Sequence, residues 1–334
     1  VTRVAVIGTG VMGRNHVRVL RELGDVELVG VADANLDAAC QVAEKHGTRG
    51  YGSHQEMLER ERPEAVTVAV PTNNHHAVVM DALAAGCHVL VEKPIAATLA
   101  EADELVAAAA SAGRLLAVGH IERFNPAIIE LKRRLDEGQL GRVFQIHARR
   151  LGPFPQRIRD VGVVVDLATH DLDVMRYLTG SEIVRVYAET RREVHTTKED
   201  LVSGLVRFAD GCVGVLQINW LTPTKIRELA VTGERGMFRA DYLTQDLYFH
   251  ENAALSAEGW TPLTILRGVS EGGTVQYAIQ KREPLRAELE AFIRAVKGEP
   301  AVVVSGEDGR EALRMALAMI ESADSGQVVM VERN

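Results

Sequence analysis

A lysine that closes one apolar run, and an aspartate and a histidine four residues apart in another segment, are the side chains here best suited to moving a proton. Lys93 stands in Glu92-Lys93-Pro94, directly after the strand-type run Cys87 to Val91. An amine at that place can donate a hydrogen bond to a substrate hydroxyl or share its proton. Glu92 can position the lysine or a cofactor ribose, and Pro94 fixes the turn. His170 offers an imidazole that can take a hydroxyl proton near neutral pH and return it in the reverse reaction. Asp166 shares a face with His170 if the segment is helical, and its carboxylate can orient the histidine or a substrate. Plainer readings stay open: Lys93 as a surface lysine, Asp166 as a helix-start residue, His170 as a packed core histidine.

The chemistry that such groups would serve is suggested further upstream. Val4 to Ile7 reads as a strand, Gly8-Thr9-Gly10-Val11-Met12-Gly13 follows at once, and Val17, Leu20 and Leu23 give Val11 to Leu23 helical spacing. Strand, glycine turn and helix in that order are the context a dinucleotide fingerprint requires. Gly8 permits the tight turn, Gly10 lets the backbone approach a pyrophosphate, and Gly13 lets the helix pack closely on the sheet. The free N–H groups of the helix N-terminus face the phosphate. A second strand, Glu27 to Ala32, ends at Asp33, 20 residues after Gly13. A carboxylate there accepts both ribose hydroxyls and repels a 2'-phosphate, which selects NAD over NADP. The alternative for Asp33 is a cap on the helix that starts near Asn35.

The elements that must hold these groups alternate. Strands at Ala65 to Val70, Cys87 to Val91 and Leu115 to Val118 are separated by helices at His76 to Ala84 and Ala100 to Ala110. Strands separated by helices imply a parallel sheet, with ligands beyond its C-terminal strand ends. Three motifs fall at such ends: Pro71-Thr72-Asn73-Asn74-His75, Glu92-Lys93-Pro94 and Gly119 to Pro126. Pro71, Thr72, Asn74, His75, Glu92 and Lys93 therefore join Gly8 to Gly13 and Asp33 as the expected cofactor contacts.

Composition narrows the field. With 334 residues the chain is about the length of two domains. A net charge of -8 gives no general attraction to nucleic acid or anionic membrane, and no nucleic-acid motif is present. Cys40, Cys87 and Cys212 are far apart, which fits a reducing compartment and argues against a disulfide framework or a cysteine-rich zinc site. Neither a signal peptide nor an apolar run of membrane-spanning length is read, so the expected location is the cytoplasm.

Taken together, the Gly8 to Gly13 fingerprint, Pro71 to His75, Glu92-Lys93-Pro94 and the block Gly162 to Asp173 resemble the glucose-fructose oxidoreductase, inositol dehydrogenase and rhizopine catabolism (Gfo/Idh/MocA) family over essentially the whole chain. The resemblance implies an α/β Rossmann domain (residues 1–123) for NAD. It also implies an α+β domain (residues 124–334) with a large open mixed β-sheet for substrate, catalysis and assembly into a homodimer or homotetramer. The C-terminal helices are free to pack back on the first domain. It makes Lys93, His170 and Asp166 catalytic, leaves open whether Lys93 or His170 is the main proton acceptor, suggests a cis bond before Pro94 and requires no metal. The sequence agrees with strands at Arg142 to Arg150, Ile183 to Thr190, Leu201 to Phe208, Cys212 to Trp220 and Ile226 to Thr232, with a hairpin turn at Asp210-Gly211. Helices are expected at Asn125 to Glu137, Asp171 to Leu178, Leu285 to Val296 and Gly309 to Ser322, and a loop over Glu251 to Gly273.

Within the family, the segments Gly119 to Pro126, Arg150 to Gly162 and Trp220 to Lys225 resemble the branch that oxidises the 3-hydroxyl of UDP-N-acetylglucosamine. Arg149, Arg150, Arg157 and Arg159 crowd near the Asp166–His170 block in sequence, Lys225 and Arg227 follow a strand in the same domain, and arginine forks suit a diphosphate. The substrate-contact set expected on this basis is Lys93, Glu122, Arg123, Arg157, Arg159, Asp166, His170 and Lys225. Other readings are a free-sugar or inositol dehydrogenase, a non-catalytic NAD-binding regulator, and, for the arginines, a solvated strand face.

Overall fold

The structure is a computed structural model that describes residues 1–155, 161–195, 197–253 and 271–331. The chain divides into two compact units, residues 1–124 with 283–314 and residues 125–282 with 315–334.

The first unit begins β1 (Thr2–Ile7), α1 (Val11–Glu22), β2 (Val26–Ala32), α2 (Leu36–His46), β3 (Gly50–Tyr51), α3 (His54–Glu61), β4 (Ala65–Val68), α4 (His75–Ala84), β5 (His88–Glu92), α5 (Leu99–Ala112) and β6 (Leu116–Gly119). Its strands form one parallel sheet in the order β3-β2-β1-β4-β5-β6. Every residue of β4 is buried, as a strand covered on both faces requires. From β1 the chain winds outward through β2 and β3, then restarts on the other side at β4. That reversal opens a crevice beyond the C-terminal ends of β1 and β4, where Gly8 and Ala69 lie. Both β3 and α3 escaped the sequence reading for plain reasons. β3 has two residues, and α3 is mostly charged, burying Met57, Leu58 and Glu61 behind a Ser53 side chain that caps the Glu56 N–H.

The second unit holds α6 (Pro126–Asp136), β7 (Val143–Pro153), a π turn (Val164–Ala168), α7 (Thr169–Thr179), β8 (Ile183–Arg191), β9 (Leu201–Phe208), β10 (Val213–Asn219), β11 (Leu221–Gly233), β12 (Gly236–Asp241), β13 (Asp246–Asn252), β14 (Glu271–Gln276) and β15 (Val329–Met330). These strands make one nine-stranded sheet in the order β14-β13-β12-β11-β7-β10-β9-β8-β15. The β7–β10 pair is parallel and its neighbours are antiparallel, so the sheet is mixed and open as expected. Burial alternates along β9: Val202, Gly204, Val206 and Phe208 point into the core while Ser203 and Leu205 point away.

Two expectations need correction here. The stretch Glu251 to Gly273 is not all loop: Glu251 and Asn252 end β13, and residues 271–273 begin β14; residues 254–270 lie outside the described residues. β11 starts at Leu221, five residues before the expected Ile226. Pro223 and its neighbours enter it through a register shift between Leu221 and Ile226, where a residue without an N–H can be accommodated.

Two helices precede β15, α8 (Pro284–Val296) and α9 (Gly306–Ser325). α8 belongs to the first unit and sets Leu285, Leu289, Phe292 and Ile293 against Val17 and Leu20 of α1. Among the described residues no helix is long and apolar enough to cross a membrane.

Candidate active site

The fingerprint turn is built as its glycines require. Gly8 has φ +96°, and a Cβ on it would lie 2.5 Å from the Ala69 carbonyl oxygen. On Gly13 a Cβ would lie 1.8 Å from the Gly8 carbonyl oxygen, so α1 can reach the sheet only with glycine there. Gly10 differs, because nothing stands within 4 Å of the place its Cβ would take. Gly10 is also the N-cap of α1 and supplies no capping side chain, so the first-turn N–H groups face that open space with a helix dipole behind them. This cradle fits a diphosphate.

Asp33 completes it. The Thr9 N–H and hydroxyl both donate to Asp33 Oδ2, at 2.7 and 2.8 Å, and the Asn35 N–H donates to Oδ1 at 2.9 Å. The cap of α2 is the Asn35 side chain, which accepts from the Ala38 N–H, so capping that helix is not the role of Asp33. Burial alone would push the Asp33 carboxyl up. The Asn35 and Thr9 donors and the charge of Arg14 outweigh it and hold the group below the ordinary carboxylate range. An ionised carboxylate keeps lone pairs for ribose hydroxyls. NAD is therefore expected to bind more tightly than NADP in calorimetric titration, with Asp33→Ala narrowing the difference; tighter NADP binding by the unaltered protein would defeat this reading.

Around Lys93 the contacts are denser than the sequence suggests. Lys93 is half-buried, and the Lys93–Pro94 peptide is cis. Glu92 Oε1 lies 2.9 Å from Nε2 of His16, a fully buried histidine on α1. The carboxylate fits because residue 119 is glycine: a Cβ there would stand 3.1 Å from Glu92 Oε2. Burial would raise Glu92, yet the His16 hydrogen bond and the charges of His16, Lys93 and His75 hold it below its usual value. His75 has both ring nitrogens near backbone carbonyls, Nδ1 at 2.8 Å from Pro94 O and Nε2 at 3.0 Å from Val70 O. The ring ties the loop after β4 to the turn that carries Lys93. Pro71 and Asn74 are exposed, and Thr72 opens a short 3-10 turn leading into α4. Sequence reasoning missed His16. Its signal was its place on the helix that the fingerprint opens.

In the second unit, Asp166 sits in the π turn and His170 in the first turn of α7. Their four-residue spacing thus crosses a junction of π and α geometry and is not a single α-helical face. One extra residue is accommodated there, a feature common at functional sites. Asp166 is half-buried and His170 is 9% exposed. The block is fastened at its start by Glu199, whose carbonyl accepts the Val163 N–H at 2.9 Å and whose Oε1 accepts the Val164 N–H at 3.2 Å. Gly162 is glycine for this reason, since a Cβ on it would fall 2.0 Å from Glu199 Oε1.

The arginines gathered from the sequence are mostly committed elsewhere. Arg150 is buried and makes a two-pronged pair with Asp171, Nε to Oδ2 at 2.7 Å and Nη2 to Oδ1 at 3.0 Å. Arg149 pairs with Glu228 at 2.9 Å, and Arg227 donates to the carbonyls of Leu151 and Ile226. Arg123, on the 3-10 turn Ile121–Phe124, is nearly buried against Asp308 at 3.0 Å; Glu122 beside it is half-buried. Lys225 is exposed on β11, while Arg157 and Arg159 lie outside the described residues. Among the described residues no cluster of three or more His, Cys, Asp or Glu side chains is arranged for a metal.

Comparison with known proteins agrees with this construction. The family described as "Oxidoreductase family, NAD-binding Rossmann fold" matches residues 2–120, and the "GFO/IDH/MocA C-terminal domain" matches residues 128–239. A UDP-N-acetylglucosamine 3-dehydrogenase from Acidithiobacillus ferrooxidans is 32% identical over 315 residues, covering 94% of this chain and 95% of its own. A solved structure of that Acidithiobacillus dehydrogenase superposes with a TM-score of 0.86 at 31% identity, covering 97% of this chain and 98% of its own. A myo-inositol 2-dehydrogenase from Thermotoga maritima is 28% identical over 342 residues, 99% of this chain and 98% of its own. With the fingerprint cradle, the Glu92-Lys93-Pro94 turn and full-length likeness in agreement, the chain belongs to the Gfo/Idh/MocA oxidoreductase family and carries its NAD-binding Rossmann fold.

Proposed function

We propose that this protein oxidises the 3-hydroxyl of UDP-N-acetylglucosamine to the 3-keto sugar nucleotide, with NAD as oxidant. The observation that carries the reading is full-length likeness above 30% identity to a dehydrogenase of that substrate. NAD, when bound, supplies the acceptor for the hydride that leaves C3. The Gly10 opening and the α1 N-terminus hold its diphosphate, and Asp33 holds the adenosine ribose. Either Lys93 or His170 takes the hydroxyl proton, and where the histidine takes it the protonated lysine donates a hydrogen bond to the substrate oxygen. Asp166 orients the histidine or the sugar. The balance is a hydride to the oxidant and a proton to the protein for each ketone formed.

A second reading, oxidation of inositol or a free sugar, is favoured by two observations. Inositol dehydrogenases match at comparable coverage. Arg149, Arg150 and Arg227, three of the cations that would compensate a diphosphate, already have protein partners. Parallel assays with NAD and UDP-N-acetylglucosamine, N-acetylglucosamine, glucose or myo-inositol separate the two. The ketone must be trapped or consumed by a transaminase, since the equilibrium favours the alcohol. The sugar nucleotide is expected to react best, because remote binding energy supports turnover. Equal or better use of inositol or a free sugar would discard the sugar-nucleotide assignment and leave the dehydrogenase.

A further inference from the structure

At the cofactor cradle, the residue between the first two fingerprint glycines carries a hydroxyl with a local use. Any residue at position 9 would offer a backbone N–H to Asp33, as Thr9 does at 2.7 Å; only the side chain is particular to threonine. Thr9 is 2% exposed, and its hydroxyl donates to Asp33 Oδ2 at 2.8 Å. A buried hydroxyl costs free energy without a partner, and valine would fill the same space with no such demand. The side chain at this position therefore serves the Asp33 carboxylate.

The donors on Asp33 are unequally shared. Oδ2 takes both Thr9 donors, whereas Oδ1 takes the Asn35 N–H at 2.9 Å, so the remaining lone-pair capacity lies chiefly on Oδ1. The backbone on either side is held without the hydroxyl. The Asp33 N–H donates to the Tyr51 carbonyl at 3.0 Å, the Gly8 N–H to the Ala32 carbonyl at 2.8 Å, and Arg14 Nε to the Thr9 carbonyl at 2.9 Å. What the hydroxyl adds is a second bond to Oδ2. That bond fixes the rotation of the carboxylate about Cβ–Cγ, a torsion that is otherwise broad.

We propose that Thr9 is a positioning residue for cofactor choice: its hydroxyl turns the Asp33 carboxylate so that Oδ1 meets the 2'-hydroxyl of the adenosine ribose. This rests on the reading of Asp33 as the ribose ligand. A 2'-phosphate has no such hydroxyl to give, so NADP feels the charge of Asp33 and gains nothing from its orientation. The test is calorimetric titration of full-length Thr9→Val, Asp33→Ala and the double variant with NAD and with NADP. Thr9→Val is expected to weaken NAD about tenfold, the scale of one bond to a charged group, and NADP by less than about threefold. Thr9→Ser, which restores the hydroxyl, stays within about twofold of the unaltered protein for both. In the Asp33→Ala background, Thr9→Val causes no further loss for NAD. A hydroxyl that only stabilised the turn would weaken both dinucleotides by one factor, with or without Asp33; that result overturns the proposal, as does unchanged NAD affinity in Thr9→Val. An unchanged NAD-to-NADP ratio in Asp33→Ala sinks the ribose reading and this inference together. A ratio narrowed in Asp33→Ala but not in Thr9→Val sinks only the role of Thr9. If the valine variant folds poorly, Thr9→Ala compared with Thr9→Ser reads the same ratio.

Discussion

Alanine at Lys93 is expected to lower kcat by about a hundredfold or more while NAD affinity changes little, and alanine at His170 is expected to do the same. Neither side chain belongs to the Gly8–Gly13 turn or to Asp33, which makes the split testable. On the proposed reading, Gly10, the α1 N-terminus and Asp33 hold the dinucleotide without the Lys93 amine. The backbone around Lys93 is held by His75 beside the Pro94 carbonyl and by Glu92 on His16. The segment that carries His170 is likewise set by the Glu199 fastening and by α7. Single-turnover kinetics with NADH-binding controls read both. Full activity in both variants removes them from proton transfer. A large loss in one alone names the dominant proton acceptor.

Asp171→Ala is expected to cost about 3–5 kcal/mol of stability, because it takes the two-pronged carboxylate from a guanidinium sealed in the second unit. Arg150 is 3% and Asp171 1% exposed, so water cannot replace the lost partner at either end. Urea unfolding followed by circular dichroism gives the number. A loss below about 1 kcal/mol, the scale of an exposed pair, would show that the interaction does not hold α7 to β7. Arg149→Ala, whose pair with Glu228 is partly exposed, is the internal comparison.

The same arginine shows where the sequence could be read and where it could not. Gly8, Gly10, Gly13 and Asp33 were legible because their spacing, after one strand and at the end of the next, is itself the fingerprint. The parallel sheet was legible from the period of its strands. Arg150 was grouped with ligand arginines because sequence proximity cannot distinguish a fork aimed at a diphosphate from one aimed at Asp171 on the next helix. His16, and the close approach of Gly119 to Glu92, went unnoticed for a related reason. Their roles depend on which strands and helices become neighbours: β6 beside β5, and His16 of α1 beside Glu92 of β5. The π turn at Val164–Ala168 was hidden because its residues are compatible with an ordinary helix start, and the Glu199 fastening beside it comes from a segment distant in sequence.

The central claim is that hydride leaves C3 of a UDP-linked N-acetylglucosamine for NAD. Its most direct test is the fate of a deuterium label. UDP-N-acetylglucosamine deuterated at C3 is turned over with NAD in the presence of a ketone trap, and the recovered nicotinamide and trapped sugar are weighed by mass spectrometry. The account predicts deuterium at C4 of the reduced nicotinamide and its absence from the sugar. Reduced nicotinamide without deuterium, or a trapped ketone that still carries the label at C3, would contradict it.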